Sequence, residues 1–265
     1  MAQLEFDEDA ARRIDRTYAT PDVVAQRART LELLDPRPGE RVLDVGSGPG
    51  HLLAAIADLV GPDGEACGVD PSAAMNGIAA AKIVSRPWAR VELGDALTLP
   101  GGGFDAAVST QVYEYVEDLP AAFAELARVL RPGGRVLILD TDWDGVVWHV
   151  ADRARHARVM AAWEEHLAHP RLPRVLAPLL RAAGFTVTAQ NVIPILNTAL
   201  HEDTYSGPTM SLIAAFVPGR AGLTSDDADA WVADLRDRDR HGEYFFCLNR
   251  YCVLATLTDG GAGGS

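Results

Sequence analysis

Val42-Leu43-Asp44-Val45-Gly46-Ser47-Gly48-Pro49-Gly50 runs from a short buried strand into a glycine turn, and a helical stretch follows to about Val60. Without a Cβ, a glycine lets the chain turn tightly after a strand and lets its backbone lie against a ligand. A Gly-x-Gly-x-Gly pattern alone is weak. It gains weight from Asp70, which stands 24 residues after Gly46 at the end of the next strand, where a carboxylate can accept hydrogen bonds from both hydroxyls of a ribose. The two features together mark an adenosine site.

Outward from this stretch, strands and helices alternate. Ala66 to Asp70 is a second strand, a helix runs from Ser72 to about Ser85, and Arg90 to Leu93 is a third strand. Gly103 to Ser109 supplies a fourth. Asp118 caps a helix with Pro120 in its first turn, and Phe123, Leu126, Ala127 and Leu130 fall on one helical face before Arg131-Pro-Gly-Gly134 ends it. Val136 to Asp140 is a fifth strand. This alternation, with right-handed crossovers, predicts a Rossmann-like, doubly wound parallel α/β sheet.

Before it, residues 1–40 read as an N-terminal helical cap that Tyr18-Ala-Thr-Pro21 breaks in two. After it the alternation lapses. His156 to Leu167 and Leu172 to Ala183 look helical, Thr186 to Asn197 is β-rich, and Glu243 to Leu257 is a long β-like run. A domain over 41–258 with a lid insertion at about 198–242, containing a polar helix capped near Ser225, accounts for these segments; 259–265 is a flexible tail.

Composition narrows the function. Thirty-seven acidic against 24 basic residues leave a net charge of −13, which disfavours a nucleic-acid or anionic membrane partner. The N-terminus, MAQLEFDEDAARR, lacks the basic and apolar regions of a signal peptide, and a cytoplasmic location is expected. Lys82 is the single lysine, so lysine-based mechanisms are nearly excluded. Cys67, Cys247 and Cys252 read as reduced core residues. His166 and His169 stand beside Pro170 without an apparent third ligand, so no metal site is expected.

Three details favour S-adenosylmethionine over a dinucleotide. The third glycine comes one position early for a pyrophosphate fingerprint. Asp44 places negative charge where phosphates would lie, which suits an ammonium and a sulfonium instead. Asp95 and the Ala96 N–H, after the third strand, can pair with an adenine edge. Val42 to Gly50, Gly68-Val-Asp-Pro-Ser72, Gly94-Asp-Ala-Leu-Thr-Leu-Pro100, Gly103-Phe-Asp-Ala and Leu130-Arg-Pro-Gly-Gly134 resemble, in order and spacing, the class I S-adenosylmethionine-dependent methyltransferases. The similarity spans roughly residues 15 to 140 and is closest to the small-molecule branch that includes the ubiquinone and menaquinone biosynthesis enzymes.

That resemblance implies a seven-stranded sheet whose last strand, Glu243 to Leu257, is antiparallel beside Thr186 to Asn197. It implies Asp44, Gly46 and Gly48 around the methionine part, Asp70 on the ribose, Met75 against the adenine, Asp95 and Ala96 on its edge, and the Gln111 backbone near the methionine amine. Tyr18 and Arg27 match by position a segment that closes the site, with Arg27 on the methionine carboxylate.

The acceptor side carries no signature beyond residue 140. Tyr113, Glu114 and Tyr115 after the fourth strand, and Asp142 to His149 after the fifth, stand where such sheets bind ligands. His149 is the first candidate for a general base, and Tyr205 a second candidate for chemistry. Trp148, His201 and Tyr244 are expected to line an apolar or aromatic small-molecule acceptor, in a monomer or homodimer. Two other readings remain: a nicotinamide-dependent oxidoreductase, disfavoured by the lack of a Tyr-x-x-x-Lys pair and by the glycine spacing, and a non-catalytic S-adenosylmethionine-binding protein.

Overall fold

A computed structural model describes residues 8–258, so the first seven residues of the expected cap and the tail 259–265 lie outside the described residues. Helices α1 (Glu8–Tyr18) and α2 (Pro21–Leu34) are separated at the expected proline, which occupies the first turn of α2. There follow β1 (Arg41–Val45), α3 (His51–Val60), β2 (Glu65–Asp70), α4 (Ala73–Ile83), β3 (Ala89–Leu93), β4 (Phe104–Thr110), α5 (Leu119–Val129) and β5 (Leu130–Thr141). Ser72 and Asp118 cap α4 and α5, accepting from Met75 N (3.3 Å) and Ala121 N (3.0 Å).

The second half holds β6 (Val147–Trp148), α6 (Arg153–Trp163), α7 (Pro173–Ala182), β7 (Phe185–Asn197), α8 (Ser206–Phe216), α9 (Ser225–Arg240) and β8 (Phe246–Leu257). The sheet runs β3-β2-β1-β4-β5-β8, with β7 along the free side of β8. β1 to β5 pair in parallel, and β8 is antiparallel to both β5 and β7, as expected. An eighth, two-residue strand was not anticipated: β6 extends the sheet along the start of β8.

Two cores cover the sheet. Phe104, Phe123, Leu126, Ile138 and Leu176 fill one face under α5 and α7, and Leu34, Leu53, Ile56, Val108 and Leu137 fill the other under α2 and α3. A third core joins α8 and α9, the segment expected as a lid, to residues 143–167 and contains Trp143, Trp148, Trp163 and Trp231, four of the chain's five tryptophans. Because β1 to β4 are parallel, their carboxyl ends open on one edge, where the glycine turn, Asp70, Gly94-Asp95 and Gln111 meet.

The cap is fastened to this edge by a polar clasp. Asp15 Oδ1 on α1 accepts from Lys82 Nζ on α4 (2.6 Å) and pairs with His51 Nε2 on α3 (2.8 Å). All three side chains keep some solvent access, so Asp15→Ala is expected to cost about 1 kcal/mol. The expected readout is faster amide exchange in α1 with β1 and β4 unchanged; unaltered α1 protection would refute the clasp.

Candidate active site

The turn after β1 is held from β2. The Gly46 and Ser47 N–H groups both donate to Val69 O (2.8 and 3.0 Å), and Gly48 N donates to Asp70 Oδ2 (2.9 Å). Gly46 has φ +71°, and a Cβ built there would fall inside van der Waals contact with Val112 Cγ2 and 3.2 Å from Val112 Cβ. Only glycine fits. Asp70 Oδ1 accepts from Ser72 N (2.9 Å); burial raises the Asp70 pKa, and these backbone donors oppose the shift.

Asp44, at the end of β1, is 1% exposed, and its Oδ2 has no hydrogen-bond partner. Burial, reinforced by the charge of Asp70, pushes its pKa up to about 7. A buried carboxylate oxygen without a donor is a site prepared for a cation. Arg27 donates only to Tyr18 O (3.3 Å) and forms no ion pair among the described residues, although burial depresses its pKa. Asp95 uses Oδ1 for Leu97 N and Thr98 Oγ1 (2.9 and 2.8 Å), which leaves its other oxygen without a partner among the described residues. Gln111 holds φ +60° while its N–H reaches Leu139 O (2.8 Å).

These residues share a single cavity of about 1110 Å³. Tyr18, Arg27, Asp44, Gly46, Gly48, Asp70, Met75, Asp95, Ala96 and Gln111, all ten expected on the cofactor side, are on its walls. Tyr205 is there too, with Tyr115, His166 and Arg250. The Tyr115 and His166 rings lie 5.7 Å apart, and the Arg250 guanidinium sits 4.9 Å from the Tyr205 ring centre.

Five expected acceptor residues stand elsewhere. His149 is exposed and bonds through Nδ1 to Glu243 O (2.9 Å), because the turn at Trp143–Gly145 and strand β6 carry it away from the β5 end. His201 is exposed on the approach to α8. Trp148 and Tyr244 are buried in the third core, bonded to each other (3.1 Å), and Tyr113 is buried against Phe123. None of the five lines the cavity.

Sequence reasoning missed Arg250 and weighed His166 only as a metal ligand. His166 is 3% exposed. Its Nδ1 bonds to Trp163 O, so the proton sits on Nδ1 and the unpartnered Nε2 carries a lone pair. Burial drives its pKa down to about 4. Tyr18, on the cavity wall, is half-buried, and burial pushes its phenol up to about 12. Behind the wall, Glu114 takes Trp143 Nε1 (2.8 Å) and Asp140 is wholly buried; burial raises both carboxyls, Glu114 to about 7.

Comparison with known proteins decides what the cavity serves. Residues 11–190 match the model of the methyltransferase domain family. The chain belongs to that family. Its methyl donor is S-adenosylmethionine, and the unpartnered Asp44 oxygen beside the glycine turn fits such a cationic ligand. Among its relatives, the nocamycin O-methyltransferase of Saccharothrix syringae is 35% identical over 66% of this chain and 66% of its own length. The demethylmenaquinone methyltransferase of Symbiobacterium thermophilum is 29% identical over 63% of this chain and 77% of its own. A putative methyltransferase from Bacillus halodurans has a similar fold, with a TM-score of 0.64 at 15% identity, over 89% of this chain and 100% of that one. This methyltransferase has no helix, among the described residues, long and apolar enough to cross a membrane.

Proposed function

We propose that this methyltransferase acts in the cytoplasm on an apolar, aromatic small molecule held between its N-terminal cap and its lid. The observation that carries the reading is the one cavity in which the glycine turn and the Asp44–Asp70 pair share walls with Tyr18, Tyr115 and Tyr205. Asp44 takes the ammonium, Arg27 the carboxylate, Asp70 the ribose hydroxyls, and Met75, Asp95 and Ala96 the adenine. The relatives named for nocamycin and demethylmenaquinone act on small molecules, which supports an acceptor of that size.

Methyl transfer is an in-line displacement, and alignment alone contributes about 7 to 11 kcal/mol. A tie between the cap and the segment after β7 supports closure of the site: Asp22 Oδ2 on α2 accepts from Asn197 Nδ2 at the end of β7 (2.9 Å) and from the N–H of the cavity-lining Tyr205 (2.8 Å). Asp22→Ala is expected to raise KM for the acceptor and to lower kcat by about 10 to 100-fold through lost positioning and water entry. Unchanged steady-state constants would contradict this.

The reading itself is tested by incubating the protein and S-adenosylmethionine with hydroxyarenes, quinols and aromatic acids and following S-adenosylhomocysteine release. Release with members of that panel is expected. Turnover confined to nucleic acid or protein acceptors would overturn it.

A further inference from the structure

Arg250 is 3% exposed and stands in the cavity wall on β8, the strand inserted between β5 and β7. A buried guanidinium is ordinarily paired with a carboxylate. Here no carboxylate oxygen of the described residues forms an ion pair with it; its partners are neutral. Nε donates to Gln26 Oε1 (3.3 Å), and Nη1 donates to Gln111 Oε1 and Thr141 Oγ1. Nη2 has no acceptor among the described residues. Glu114 and Asp140 are close enough to feel the charge, but they sit behind the wall with burial holding them toward the protonated form.

Gln111 adds a second donor. Its Oε1 accepts from Arg250 and from the Thr141 hydroxyl (2.8 Å), which fixes the amide and leaves Nε2 a buried donor with no partner among the described residues. Beside this guanidinium His166 is a weak base, and burial keeps the protons on Tyr18 and Tyr115.

Resting on the methyltransferase reading above, we propose that the acceptor carries an oxygen acid already ionised at neutral pH, a carboxylic acid or an acidic enol, and that Arg250 Nη2 and Gln111 Nε2 bind that anion. The acceptor oxygen gives a lone pair to the methyl carbon as the carbon–sulfur bond breaks with its pair to sulfur. Sulfonium and anion both become neutral, the product is a methyl ester or enol ether, and no proton moves. The Tyr205 ring, 4.9 Å from the guanidinium carbon, adds a cation–π contact that helps hold Arg250 in the cavity wall.

The test is equilibrium binding to the protein saturated with S-adenosylhomocysteine, by calorimetry, using benzoate and naphthoate against benzamide and naphthamide, and an acidic cyclic triketone against the corresponding monoketone. The anionic member of at least one pair is expected to bind roughly 30-fold or more tightly than its neutral partner. Arg250→Met should erase that preference and Arg250→Lys should keep part of it, with S-adenosylhomocysteine affinity unchanged as proof of folding. Preference for the acid pair or for the enol pair identifies the source of the anion. Anions binding no better than their neutral partners, including no binding of either, overturns the inference. Failure of the wild type to bind S-adenosylmethionine would instead overturn the reading beneath it.

Discussion

Gly46→Ala is expected to abolish measurable S-adenosylmethionine binding and to lower stability by about 3 kcal/mol. Two costs combine. A residue with a Cβ pays about 1 to 2 kcal/mol to hold the left-handed backbone of Gly46, and intrusion into a packed site adds about 1 to 3 kcal/mol. The obstacle is Val112, a stiff β-branched side chain, and it follows Gln111, whose own φ is +60°. Val112 cannot give way without shifting Gln111, which lines the same cavity. Gly61→Ala is the control, since Gly61 has φ +68° but nothing within 4 Å of an added Cβ. Gly61→Ala should cost only its own backbone strain, about 1 to 3 kcal/mol for a conformation reserved to glycine, and leave affinity intact. Thermal midpoints and calorimetric affinities separate the two, and a Gly46→Ala protein that binds within threefold of wild type would contradict the account.

The second large effect is a pH dependence of binding. Asp44 titrates near 7 in the ligand-free protein, well above an ordinary carboxyl, because it is buried beside Asp70. A raised folded-state pKa means that Asp44 favours the fold below about 4 and that this contribution is lost as pH climbs through about 7. A cationic ligand reverses the sign, because it needs the ionised carboxylate. Affinity for S-adenosylmethionine should therefore fall about tenfold per unit below pH 7 and level off above it. Adenosine, which lacks the charged methionine part, should bind with little slope. Asp44→Asn should flatten the profile and weaken binding at pH 8 by about 10 to 100-fold, the worth of one charge-assisted hydrogen bond in a buried site. A wild-type profile flat from pH 6 to 8 would sink the role assigned to Asp44.

The nucleotide half was legible in the sequence because each of its signals is local. Strand ends, glycine turns and capping residues lie within a few positions of one another, and parallel topology brings their carboxyl ends together with little further information. The acceptor half depends on tertiary detail. His149 follows the rule that functional groups gather after sheet strands, yet one turn at Trp143–Gly145 sends it to the outside. Helix α8 was not foreseen because Ser206-Gly-Pro-Thr-Met-Ser-Leu-Ile-Ala-Ala-Phe216 starts with helix-poor residues and has no sharp polar face. Arg250 could have been found. In β8 it shares two-residue periodicity with the buried Phe246, Leu248 and Cys252, so alternation alone places its charge on the inward side.

The position of β8 also bears on how the chain is made. β8, the last of the described strands in chain order, fills the slot between β5 and β7, so during synthesis both neighbours emerge before it with bare edges. Folding should be slow, with long-range pairing as the limiting event, and the half-built sheet should be prone to pairing with other nascent chains until that strand arrives. The same strand brings Arg250. A ribosome-bound chain still lacking it would display the nucleotide turn without the complete acceptor wall, and competence to select a substrate would appear only with the closing of the sheet.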